Sequence, residues 1–330
     1  MGTREAGSVY MVAIRNQHGN LLLEVQAENL LYADLQNQNL QMAALSGTVL
    51  YNAKLQGCNL SGADLRTANL GNANLEGANL SRTTLKAAKL DHCILKEVNA
   101  SQANLSNMHA QQSDWSDANL YKSDLSQSNF AGASLKGANL EGAEMYEVIL
   151  QHTDLTGAKL IKTKLLKAQG QAACFQNADM EKAELETAQF GWSNFKNANL
   201  RGATLRNAKL NSADLSGACL KEANLNGAFL ADANLEGANL EGASIFQTNL
   251  TKANLQGANL SRANLSGSFM NMALLAGANL EKVDLQGTNL RGARYDETTV
   301  FPAGFKPEQN GMFLTPRIQL DGPLEGQSAQ

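Results

Sequence analysis

The sequence is short of several residue types, and each shortage narrows the reading. Four cysteines in 330 residues are too few for a disulfide scaffold. No apolar run approaches the roughly 18 residues that a membrane-crossing helix needs. The first twenty residues, MGTREAGSVYMVAIRNQHGN, contain no apolar signal core, so the expectation is a cytoplasmic protein of a reducing compartment. Charged residues make up only 18%, with a net charge of −4, so general nucleic-acid binding driven by phosphate contacts is excluded. A hydrophobic content of 43% excludes a disordered chain. Only four prolines occur, all after residue 301, while Leu, Ala, Asn and Gly are abundant. That imbalance points to an internal repeat.

The repeat has a period of five. Stretches such as NANLEGANL and SGADLRTANL read as A-(N/D)-L-x-x over and over. With the central Leu called position i, every fifth residue from Leu30 to Tyr295 falls at i. This makes 54 units, of which 41 carry Leu, and no insertion shifts the register. An amphipathic helix, with its period of about 3.6, cannot produce this. Positions i−2 and i are apolar, and i−1, i+1 and i+2 are mostly polar. Eighteen of the 28 glycines lie at i+2, among them Gly47, Gly77 and Gly237. In the turn L-x-G-A this is the third residue, where a type II turn requires positive φ. Asn and Asp at i−1 are suited to bonding nearby backbone groups.

These units resemble the pentapeptide-repeat family, most closely its cyanobacterial members. The resemblance covers about 270 of the 330 residues and implies an all-β fold, a right-handed quadrilateral parallel β-helix. Four pentapeptides would form each coil, giving about 13 coils and a rod roughly 65 Å long at the strand spacing. Residues 1–24 depart from the repeat and are expected to form an N-terminal cap. Residues 25–295 form the β-helix, and 296–330 a C-terminal cap with a disordered tail ending in PLEGQSAQ. Val300, Phe301 and Phe305 are available to cover the last coil, in a TxFPxGFxP style similar to the caps of cyanobacterial members. A solenoid needs such caps because its end coils expose core and unpaired edges.

Thirteen i positions are not Leu. Residues 20 apart should stack, which places Ala110 beside Phe130 and Gly170 beside Phe190, and puts Trp115 in the coil of Ala100 and Ala110. Small facing large implies a filled interior; the contrary expectation is a ligand cavity beside Gly170.

No catalytic constellation emerges. His18, His92, His109 and His152 form no His-x-x-x-His pair, and no Cys-x-x-Cys or phosphate-binding loop exists. Cys58 and Cys93 take the inward i−2 position, while Cys174 and Cys219 lie outside. The expectation is a non-enzymatic protein with no cofactor and no metal.

Function should therefore lie in the surfaces. One face, net −5, carries the candidate acidic residues Asp34, Glu76, Asp114, Asp117, Asp154, Asp214 and Glu236. The next is net +3 and includes Lys159 and Lys162, with Lys164 and Lys167 around the corner. A third face has little charge and collects apolar residues at outward positions: Tyr32, Val49, Tyr51, Ile149, Trp192, Phe229, Phe269 and Met272. Such composition suits the core of an interface. Two functions compete. The first is a rigid scaffold or protein–protein interaction module of a regulatory kind, whose partner is a protein or a second copy in a homodimer. The second, implied by other family members, is a DNA mimic binding gyrase or another type II topoisomerase. A mimic of a duplex carrying one charge per about 1.7 Å should be far more acidic than −5 along such a rod. Leu at the centre and the unbroken register also differ from what that resemblance implies.

Overall fold

The computed structural model describes residues 10–315. Its logic is visible in a single unit. The carbonyl of the i residue accepts the N–H of the residue three further on, as from Ala73 to Leu70 at 2.8 Å. The third residue of each such turn is left-handed, with φ between 52° and 79° at every i+2 position from Tyr32 to Gly292. Glycine takes this conformation freely, and Asn takes it more easily than bulkier residues. The positive-φ expectation thus holds for the glycines and extends to every other unit.

Between turns, residues i−1 and i are extended and bond to the coils on either side. Leu75 donates to Ile94 O at 2.7 Å, and Asn74 donates to Ala53 O at 3.0 Å. Single-residue parallel bridges repeat this from Asp34–Lys54 to Leu274–Arg294, each joining residues 20 apart. The chain therefore returns on itself every 20 residues, with four turns in each return. Asn and Asp at i−1 add the expected local bonds. Asn79 Oδ1 accepts the Ser81 N–H at 3.1 Å, and its Nδ2 donates to Asn59 Oδ1 at 3.2 Å.

Alternate residues of each unit point inward, so Leu at i and Ala at i−2 form one continuous core. Its irregular places are filled. Trp115 is wholly buried, its ring 5.8 Å from that of Phe130. Phe175, Phe190 and Phe195 pack as a cluster, with Phe175 and Phe195 stacked at 4.7 Å. A Cβ on Gly170 would lie 2.3 Å from Phe190 Cε1. The cavity reading at Gly170 is therefore overturned: the Phe190 ring fills that space.

The buried polar residues, Ser106 and Asp296 apart, are all at i−2 and are satisfied there, as burial demands. Thr153 Oγ1 donates to Phe130 O at 2.7 Å, and Ser193 Oγ to Gly170 O at 2.7 Å. Trp115 Nε1 donates to Ser113 Oγ at 2.8 Å, which donates on to Ala110 O. Cys58 and Cys93 occupy the same position and donate to Leu35 O and Leu70 O.

The ends differ from the middle. Strands β1 (Val12–Arg15) and β2 (Leu21–Val25) form an antiparallel hairpin with a bulge between Ile14 and Arg15. Ile14 is buried, and the hairpin meets the first coils where Ala44 donates to Arg15 O at 2.8 Å and Gln17 to Met42 O at 3.0 Å. At the other end the 20-residue register slips by one, and Asn279 pairs with Val300. The slip occurs at Asp296. In the coil before, Gly257 donates to the Ala276 carbonyl; Gly277 donates instead to the Asp296 carboxylate at 2.9 Å. Strands β3 (Arg294–Tyr295) and β4 (Phe313–Leu314) then pair in parallel, with a short 3₁₀ helix at Pro307–Asn310 between them. Phe301 meets Tyr295 edge to face and stacks on Phe305, over the last core residues. Val300 does not cover the core as expected. It continues the rung and is 46% exposed, because the one-residue slip turns it outward. Residues 1–9 and the tail PLEGQSAQ lie outside the described residues.

Candidate interaction surfaces

On the low-charge face, Val49, Ile149, Phe229 and Phe269 share one row of bridges. None touches the next along that row. Phe229 and Phe269 are the nearest pair, two rungs apart with Asn249 between them, or roughly 10 Å at the strand spacing. Tyr32, Trp192 and Met272 occupy the left-handed turn position, with φ of 57°, 59° and 58°. The structure thus brings Phe269 and Met272 together in one coil and Tyr32, Val49 and Tyr51 in the first two. Trp192 stands apart. It is the most exposed large apolar residue among those described, at 69%, with Tyr32 at 65% and Phe229 at 44%.

Two of the eight are not freely offered. The Tyr51 ring lies over Gly71, where an added Cβ would approach it to 3.0 Å, and its hydroxyl accepts the Asn72 amide. Ile149 is half-buried. In return the structure shows a feature the residue pattern did not suggest. A cavity of about 550 Å³ opens on this face between His92 and His152, floored by Ala131 and Gly132 and edged by Gln112 and Gln151. Its only signal in sequence is the small pair Ala131–Gly132 in a coil between two coils bearing longer side chains.

The acidic face is more neutral than its acids suggest. Lys54, Lys96 and Lys136 lie beside Asp34, Asp114 and Asp154, at 3.4, 3.4 and 3.1 Å. Glu76, Asp117, Asp214 and Glu236 share the face but form no ion pair among the described residues. Partial burial pushes the Asp114 and Asp154 carboxyls up. Donors from Ser116 and Thr156, with Lys96 and Lys136, more than offset it and hold both below the usual range. Asp296, at the C-terminal end of this face, is only 6% exposed and serves the backbone. The basic cluster is likewise split, since Lys164 pairs with Glu144 at 3.0 Å and Lys167 with Glu147 at 3.2 Å.

Among the described residues no group of three His, Cys, Asp or Glu could hold a metal ion. No helix there is long and apolar enough to cross a membrane.

Comparison with known proteins follows the repeat. The profile described as "Pentapeptide repeats (8 copies)" matches residues 29–66, 149–186, 188–227, 228–267 and 258–294, and "Pentapeptide repeat region" matches 68–145. The chain belongs to the pentapeptide-repeat family. That membership carries with it the right-handed β-helix, in agreement with the parallel 20-residue bridges. No curated protein matches this pentapeptide-repeat chain. Similar solved structures include HetL, a pentapeptide repeat protein involved in heterocyst differentiation regulation, from the cyanobacterium Nostoc sp. strain PCC 7120. It is 29% identical over 79% of this chain and 86% of that one, with a TM-score of 0.34. Rfr23 of the cyanobacterium Cyanothece 51142 is 41% identical over 28% of this chain and 63% of that one, with a TM-score of 0.28. QnrB1, a plasmid-mediated fluoroquinolone resistance protein, is 17% identical over 60% of this chain and 87% of that one, with a TM-score of 0.23.

Proposed function

We propose that this chain is a rigid, non-catalytic interaction module that binds protein through its low-charge face. It would work as a four-sided rod of about 13 coils, capped by residues 1–24 and 296–330 and needing no cofactor. The observation that carries this reading is Trp192. A bulky residue in the left-handed region is strained, and this one rests on a turn where Gly or Asn would serve the fold better. Its exposure leaves much of its apolar surface in water at 69%. Neither cost benefits the isolated rod; a partner that covers the ring recovers the second, and that burial offsets the first. A stiff rod also binds without paying to order its own surface.

The DNA-mimic reading is less well supported, because three of the seven candidate acids are met by lysines one coil away. The test is capture of binding partners from native lysate by three baits: wild type, Trp192→Ser with Phe229→Ser, and Asp114→Asn with Asp154→Asn. The proposed function requires partners lost by the second bait and kept by the third. Loss of a topoisomerase subunit by the third bait alone would favour the mimic.

A further inference from the structure

The low-charge face presents a projection and a recess that do not meet within one chain. The projection is Trp192. The recess is the cavity of about 550 Å³ over Ala131 and Gly132. Both belong to the same face, and Gly132 and Trp192 occupy the same turn position three coils apart, or roughly 14 Å along the rod.

We propose that the partner on this face is a second copy of the chain, laid antiparallel so that each Trp192 enters the cavity at Gly132 of the other. This rests on the proposed function above and names its partner. Full overlap of the two faces fixes the register. When two such faces meet about a two-fold axis across the rods, full overlap of the coils from Leu30 to Leu290 sets level 30 against level 290. Level 190 then falls against level 130. Trp192 faces Gly132 of the partner subunit, and the cavity lies where the ring arrives. Two-fold symmetry makes this contact twice, as an isologous interface requires.

The rest of the face agrees. At the turn position, Tyr32 meets Gly292 and Met272 meets Asn52, so large side chains oppose smaller ones. Along the bridge row, Val49 meets Phe269 and Lys89 meets Phe229. Asp232 meets His92, and no two carboxylates or two lysines stand directly opposed. Like charges in contact would cost several kcal/mol, so a nearly neutral face with this placement is what self-pairing needs. The area is also sufficient. Thirteen coil steps span roughly 62 Å, and a face roughly 10 Å wide gives about 600 Å² per copy and about 1,200 Å² in total. That meets the lower bound of specific interfaces.

The test is the solution mass of the full chain, by sedimentation equilibrium at micromolar concentration, with acrylamide quenching of tryptophan fluorescence alongside. Trp115 is buried, so quenching reports Trp192. The expected result is a dimer of twice 35.2 kDa. Trp192 should become more accessible to quencher as dilution releases monomer. Both Trp192→Ser and Gly132→Gln should weaken association at least tenfold. The fold tolerates Gln at this turn position, since Gln112 and Gln127 already occupy it with φ of 55° and 59°. Gly237→Gln, on another face with open space above it, should leave the dimer intact. A monomeric wild type overturns the proposal, and so does a dimer that survives Gly132→Gln. A monomer whose Trp192→Ser form still loses a captured protein would overturn the second copy while leaving the interaction face standing.

Discussion

Gly170 and Phe190 sit one rung apart, and the Phe190 ring occupies the space that any side chain at residue 170 would need. The pair shows how the core keeps constant volume while its residues vary. Gly170→Ala should destabilise the rod by about 1–3 kcal/mol through overpacking. Phe190→Ala should cost about 3–5 kcal/mol by opening a cavity. Replacing both with Leu restores the repeat and should cost less than Phe190→Ala alone. Chemical denaturation of the three variants checks this.

The left-handed turn position carries its own energy scale. Gly77 has φ of 65° with nothing near a would-be Cβ, and Ala87 has φ of 56° in an equivalent turn. Gly77→Ala should destabilise by about 1 kcal/mol, and Ala87→Gly should stabilise by a similar or smaller amount, since strain outweighs glycine's entropy cost. Shifts of the denaturation midpoint in opposite directions, the second no larger than the first, are the expected outcome.

The thiols divide by position. Burial pushes the Cys93 thiol up to about 12 and the Cys58 thiol up as well, while Cys174 and Cys219 are half-exposed. A thiol reagent should therefore label two cysteines in the native protein and four after unfolding, because the thiolate is the reactive species. Mass spectrometry should place both native labels on residues 174 and 219.

Acid should act on the rod through a few carboxylates. At Asp296 burial pushes the carboxyl up, but the Gly277 N–H and the Thr298 and Thr299 donors more than offset it and hold it low. Asp114 and Asp154 are held low as well. A carboxyl with a depressed folded-state pKa contributes stability that is complete above its unfolded value, near 3.8, and is lost as pH falls towards the folded value. Stability should stay level in the weakly acidic range and drop below about pH 4. Asp296→Ala should flatten that drop. It should also cost about 1–3 kcal/mol at neutral pH, because buried donors lose their acceptor.

Much of the fold was legible because a period of five, held without insertion from Leu30 to Tyr295, dictates which residues turn inward. The pairing of Gly170 with Phe190 followed from stacking residues 20 apart. The ends were less legible. Nothing in the string ETTVF announces that Asp296 replaces a backbone carbonyl, slips the register and turns Val300 outward. The surfaces lay between these cases. The faces could be drawn by counting, but counting does not show Tyr51 folded over Gly71 or lysines lying beside Asp34, Asp114 and Asp154. Side-chain length and direction decide those, and the cavity at Gly132 exists only because its neighbours project past it.

In the proposed function, one face makes the protein contact. Hydroxyl-radical footprinting of the monomer, released by dilution, and of the bound complex tests this. Protection of Trp192, Phe229, Phe269 and Met272 in the complex is expected, with Tyr121 and Tyr146 on other faces oxidised equally in both states. Protection of Tyr121 and Tyr146 with Trp192 left reactive would contradict it.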